Sequence, residues 1–107
     1  MPSLQFEING DDPRGLVIAI AGDLDLAAAP ELVACLLANT DRDVTLDLGG
    51  VTFLDSSGIN ALIHGYHAFR DAGHTLRTTG EREHVLKVLQ LTGITTMLHG
   101  DQPDAAT

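Results

Sequence analysis

One change of hydrophobic period, inside the stretch Val44 to Asn60, limits what this chain can fold into. Val44, Leu46 and Leu48 alternate with Thr45 and Asp47, a period of two that predicts a strand. Gly49 and Gly50 predict a break, after which Val51, Phe53 and Leu54 bring the chain back into an apolar core. Asp55-Ser56-Ser57-Gly58 then precedes Ile59, Leu62, Ile63, Tyr66 and Phe69, whose spacing is that of one helical face. A strand that passes into a helix through a short polar step is a unit of α/β architecture. Asp55 is placed as an N-cap, because its carboxylate can accept the free N–H groups of the first turn. Ser56 and Ser57 fall in that turn, at the positive end of the helix, where an anion is welcome.

The flanking sequence extends the pattern. Leu4, Phe6 and Ile8 alternate with polar residues and predict a strand with one wet face. Residues 9–15 are turn formers, and Leu16 to Ala21 is a continuous apolar run. The two strands are expected to form an antiparallel hairpin with a longish loop. Gly22-Asp23-Leu24-Asp25 ends the second strand. Ala27 to Asn39 predicts a helix with Pro30 in its first turn and Ala29, Leu32, Val33, Leu36 and Leu37 inward. The helix after the seam should run to Ala72 and stop at Gly73. His74 to Thr79 predicts an edge strand. Glu81 to Leu91 predicts a helix with Val85, Leu86, Val88 and Leu89 inward, and Ile94, Met97 and Leu98 a short docked element.

The expected fold is therefore α/β: a mixed, mostly parallel sheet of four to five strands, an antiparallel N-terminal edge hairpin, and three to four helices. The 107 residues suffice for one domain, expected over 1–100, with a loose tail over 101–107.

Charge and motifs narrow the function. The chain has 15 acidic and 6 basic side chains, a net charge of −9, which disfavours nucleic acid and anionic membranes as partners. It could favour a partner with a basic patch. No apolar run approaches the roughly 18 residues of a membrane span, and the N-terminus has no secretory pattern, so a cytoplasmic location is expected. The single cysteine, Cys35, lies in an apolar helix and reads as a packed thiol. Phosphate-binding loops, dinucleotide fingerprints and nucleophile elbows are absent, so no catalytic residue and no cofactor is assigned. His64 and His67 share a helix face but have no further ligand at metal spacing. His74, His84 and His99 fall at element ends and read as surface residues. Asp23, Asp25 and Asp55 could form a carboxylate cluster for Mg²⁺ if their loops meet, although capping duties are the commoner role.

Three motifs together resemble the STAS domain family, specifically the stand-alone bacterial anti-sigma factor antagonists. They are Gly22-Asp23-Leu24-Asp25, then Thr45-Leu46-Asp47-Leu48 through Phe53-Leu54-Asp55-Ser56-Ser57-Gly58, then Leu91-Thr92-Gly93. The resemblance spans about Leu4 to Leu98. It implies a partner-switching phosphoprotein of transcription and stress regulation, not an enzyme. It implies phosphorylation of Ser56 by a partner that is both anti-sigma factor and serine kinase, with a histidine-kinase-like ATPase fold, and resetting by a serine phosphatase. The docking surface it implies comprises Gly22, Asp23, Leu24, Asp25, Asp55, Ser56, Ser57 and Gly58, on a monomer or weak homodimer. Two positions depart from the family pattern: Asp23 stands where glutamate is frequent, and Ala28 replaces a threonine, removing a possible loop-to-helix hydrogen bond. Two other readings compete: a STAS scaffold or sensor subunit of a transport or stress-signalling complex, and a small hydrolase built on the three aspartates.

Overall fold

The computed structural model describes residues 4–12 and 15–99. The elements run β1 (Leu4–Asp12), β2 (Gly15–Leu24), α1 (Ala29–Leu37), β3 (Val44–Leu54), α2 (Ser56–Asp71), β4 (Leu76–Thr79), α3 (Glu83–Thr92) and α4 (Thr95–Leu98). The sheet order is β1-β2-β3-β4, with β1 antiparallel to β2 and both β2–β3 and β3–β4 parallel. This is the mixed, mostly parallel sheet with an antiparallel edge hairpin expected from the sequence, and β4 is an edge strand.

Burial alternates along the strands, so one sheet face is dry. Leu16, Ile18, Ile20, Val44, Leu46, Leu48 and Leu76 are buried with residues of all four helices in one core cluster. The opposite face carries Val17, Ala19, Thr45 and Asp47, half-buried, and Arg77 and Thr79, exposed. Removing a leucine such as Leu46 or Leu62 fully from water contributes about 1.5–3 kcal/mol, and both are 0% exposed.

Several expectations need correction. The turn-forming run 9–15 is largely strand: β1 continues to Asp12 and β2 begins at Gly15, with a register shift between Ile8 and Gly10. A bulge absorbs residues that individually favour turns. Gly49 and Gly50 do not break the central strand. Between Ala19 and Ala21 of β2, β3 advances from Asp47 to Gly50, so it carries one extra residue. A Cβ on Gly50 would stand 2.6 Å from that of Ala21, so the glycine permits the strands to close up. Phe53 is not core: it is 47% exposed, while Val51 and Leu54 are buried. A second register shift pairs Gly22 with Val51 but Asp23 with Phe53, and the skipped Thr52 turns Phe53 outward.

The helices are shorter than expected at their starts. α1 begins at Ala29 after a turn, and α3 begins at Glu83, leaving Glu81 outside it. On α2 the buried residues are Gly58, Ala61, Leu62, Gly65 and Phe69, while Ile59, Ile63 and Tyr66 are only partly buried. α1 packs directly on α2, and a Cβ on Gly65 would meet Leu36 Cδ1 at 2.5 Å. Small residues therefore line the closest contact. The tail expected over 101–107 lies outside the described residues.

Candidate functional site

The parallel strands β2 and β3 end side by side, and Leu24 pairs with Leu54 at their tips. Beyond them the chain makes two turns. On the β3 side, Asp55 is the N-cap of α2: its Oδ1 accepts from Ser57 N at 2.9 Å and Gly58 N at 3.2 Å. Its own N–H donates to Leu24 O at 3.3 Å, tying the cap to the β2 side. On that side Asp25 Oδ1 accepts from Ala28 N at 3.0 Å and its carbonyl takes the N–H of Ala28 and Ala29, building the turn into α1. Ala28 is fully buried. The replaced threonine position thus packs into the core, and Asp25 supplies the turn's polar contact.

The 22–25 segment and the first turn of α2 form one continuous site because of Gly58. A Cβ there would stand 2.5 Å from Leu24 O and 2.7 Å from Leu54 Cδ1. Leu24 and Gly58 are both buried, so they hold the site together rather than line its surface. The accessible groups are Ser56 and Asp23, exposed, with Asp25, Asp55, Ser57 and Gly22 half-buried. Ser56 is the exposed hydroxyl at the first position of the helix.

Sequence reasoning missed four contributors. Thr52 Oγ1 donates to Asp23 Oδ1 at 3.0 Å, and His84 Nε2 lies 2.7 Å from Thr52 O, bringing α3 to the rim. Leu26 is 74% exposed and Phe53 47%, two apolar side chains on the segments that bear Asp25 and Asp55. Leu26 also lines a groove between α1 and α2 with Ser57, Asn60 and His64. Only the bulge at Thr52 reveals Phe53, and sequence alternation does not encode a bulge.

The three aspartates do not assemble into a cluster. Asp23 serves Thr52, while Asp25 and Asp55 serve backbone N–H groups. Among the described residues no group of three or more His, Cys, Asp and Glu stands close enough to hold a metal ion, His64 and His67 included. Cys35 is half-buried, and burial pushes its thiol pKa up, away from nucleophilic use. His99 is not a simple surface residue: its Nε2 lies 2.7 Å from Glu81 Oε2, which also accepts from Thr78 Oγ1 at 2.6 Å. Burial raises the Glu81 pKa, but the bonds from Thr78 and His99 outweigh it and hold it below the usual carboxylate range. That pair ties α4 to the segment before α3, away from Ser56. No helix among the described residues is long and apolar enough to cross a membrane.

The family described as "Mlab, STAS domain" matches residues 9–99. An anti-sigma-B factor antagonist of Staphylococcus epidermidis is 25% identical over 85 residues, covering 77% of this chain and 79% of that protein. An anti-sigma-factor antagonist STAS domain protein from Planctomyces limnophilus superposes with a TM-score of 0.71 at 21% identity, over 92% of this chain and 88% of that one. The Bacillus cell fate determinant SpoIIAA in its phosphorylated form gives 0.65 at 18% identity, over 94% and 96%. These structural likenesses establish the fold.

Proposed function

The chain belongs to the STAS domain family, and from that premise we propose that it is an anti-sigma factor antagonist switched by phosphorylation at Ser56. Unphosphorylated, it binds an anti-sigma factor that is also a serine kinase, and so frees a sigma factor. Phosphorylated, it lets go, and a serine phosphatase resets it. It is a regulatory binding protein and a kinase substrate, not a catalyst. Its relatives, named as antagonists of anti-sigma factors, support the partner class. The observation that carries the switch is the exposed Ser56 hydroxyl at the mouth of α2, beside a segment anchored to it through Asp55 and Leu24.

The electrostatics make that hydroxyl a sensitive place for charge. A phosphoserine adds about −1.5 to −2 charge at neutral pH. The helix dipole tolerates an anion at the first turn. Yet Asp55 already holds the N–H groups of Ser57 and Gly58, so the phosphate finds those donors taken and a carboxylate next to it. The protomer keeps its fold. A partner closing over Ser56, Leu26 and Phe53 would have to bury an unpaired dianion, at a cost of at least about 3 kcal/mol, or more than about a hundredfold in affinity. Leu24 and Gly58 act indirectly, by fixing the shape of the surface that Asp23, Asp25, Asp55, Ser56 and Ser57 present.

The test is incubation with candidate anti-sigma kinases and ATP, read by intact mass and site mapping. The expected result is a single phosphate on Ser56, absent from Ser56→Ala. Ser56→Ala should keep partner affinity, and Ser56→Asp should weaken it in the same direction as phosphorylation. Phosphate on Ser57 alone would sink the residue assignment. A second reading is a STAS scaffold or sensor subunit of a transport or stress-signalling complex, without a sigma-factor link. The family match over residues 9–99 is to the STAS domain as such, and its description mentions no sigma factor, which leaves room for this reading. Affinity capture that recovers no anti-sigma kinase would decide for it.

A further inference from the structure

The far end of α2 has the opposite electrical character. Arg70 lies fourteen residues after Ser56, about 21 Å along the helix at 1.5 Å per residue. A pocket of about 310 Å³ opens there, between the end of α2, the start of β4 and α4. Its polar lining is Arg70, Arg77, His74, Thr75 and Tyr66, and its apolar lining is Leu76 and Met97. In a chain with 15 acidic and 6 basic side chains, this lining takes two of the arginines and no carboxylate. Neither guanidinium has an ion pair or hydrogen bond among the described residues.

Two carboxylates adjoin the pocket. Asp71 follows Arg70 and is exposed. Asp43 is turned to its own partners: Oδ1 accepts from Thr75 N at 3.0 Å and lies 3.1 Å from His74 Nδ1. That contact fixes the imidazole and leaves Nε2 without a partner among the described residues. Arg70 comes from α2 and Arg77 from the outer face of the edge strand β4, so the two arginines border the cavity from different sides. Their forked donors fit the oxygens of a dianion, each arginine taking two. Thr75 and Tyr66 add hydroxyl donors. The volume is at the small end of ligand pockets, which run from roughly 300 to 1,000 Å³. A phosphate group fills part of it, and the apolar wall remains for an organic body.

We propose that this pocket binds a small phosphomonoester, its phosphate held by Arg70 and Arg77 and its organic part lying on Met97 and the Tyr66 ring. The site is independent of the switch at Ser56. The probes are phenyl phosphate, inorganic phosphate and benzoate, titrated into the full chain and followed by backbone amide shifts. Phenyl phosphate should saturate at millimolar concentration or below, with shifts concentrated at residues 74–77 and 97. It should bind at least about tenfold tighter than benzoate, the worth of one charge-assisted bidentate contact, and tighter than inorganic phosphate through the apolar contact of its ring. Arg70→Ala and Arg77→Ala should each weaken it by at least about tenfold. Both side chains are exposed, so these variants should keep the amide spectrum of the folded chain. Failure to saturate, shifts centred on the first turn of α2, or unchanged affinity in both arginine variants would overturn the site. Inorganic phosphate binding as tightly as phenyl phosphate would overturn the organic ligand.

Discussion

At its first turn, α2 meets the Asp55 carboxylate, which takes two backbone N–H groups and leaves the Ser56 hydroxyl facing outward. At its last turn it carries Arg70, whose charge suits the helix C-terminus but finds no ion-pair partner among the described residues. Both charges have the sign that the helix dipole favours. The ends differ in what is left over. The N-terminal end has spent its donors internally, so an added anion meets competition. The C-terminal end has donors to spare, so an added anion is drawn in. Exposure alone does not separate Ser56 from Arg70, since both are exposed. The satisfaction of their neighbours does.

Two glycines give this contrast its largest test. Gly58→Ala puts a Cβ 2.5 Å from the Leu24 carbonyl, a backbone atom that cannot swing away. The expected loss is about 1–3 kcal/mol, towards the upper end, despite alanine's better helix propensity. The segment 22–25 must also move, so partner affinity should fall with stability. Gly73, past the other end, has φ of 83° and nothing within 4 Å of an added Cβ. Gly73→Ala should cost about 1 kcal/mol through backbone conformation only. Urea midpoints measure both. Equal losses would show that the N-terminal end is no tighter than the C-terminal one.

Asp55→Ala comes next. Removing an N-cap carboxylate costs about 1 kcal/mol, and Asp55→Asn, which keeps an acceptor, should recover most of it. The same change frees the N–H groups of Ser57 and Gly58. A phosphate on Ser56 could then take those donors, and phosphorylation should destabilise the Asp55→Ala fold less than the parent. Thermal unfolding of the four forms, with and without phosphate, reads the coupling. A strictly additive result would mean that the carboxylate and the phosphate do not compete.

How much of this was written in the sequence follows the range of each interaction. Asp55 as N-cap and Gly73 as the stop of α2 were legible, because a cap and its helix are contiguous in the chain. The parallel neighbours were legible from the alternation of strands with helices, and the antiparallel edge from the two strands at the start of the chain. The buried stripe of α2 was only half legible. Gly58, Ala61 and Gly65 are buried for lack of bulk, and small residues leave no hydrophobic signal. Gly49 and Gly50 read as a break, and Phe53 as part of a return to core, because a bulge is set by the neighbouring strand's register. The basic pocket and the Glu81–His99 pair were invisible because their members come from separate elements. Glu81 and His99 are 18 residues apart, and Asp43 and His74 are 31 apart.

The smallest effect belongs to Asp43, and its sign follows from its bonds. The Thr75 N–H holds the Asp43 carboxyl below its usual pKa, burial opposes this, and His74 adds to the lowering. A carboxyl depressed in the folded state binds its proton more weakly there than in the unfolded chain. Its contribution is therefore present in full above the unfolded value, near 3.8, and is lost as pH falls through the lower folded value. The side chain is 48% exposed, so solvent screens much of the interaction. Asp43→Asn keeps an oxygen for Thr75 N and removes the charge. The parent should exceed the variant modestly at neutral pH, and the gap should close in acid, as read by urea midpoints. Glu81, also lowered by its partners, is common to both proteins and cancels in the difference. At the pocket the same substitution acts in the opposite direction. It removes the carboxylate nearest His74, so phenyl phosphate should bind Asp43→Asn at least as tightly as the parent. Weaker binding would mean that Asp43 contributes by orienting His74 and that the two arginines do not act alone.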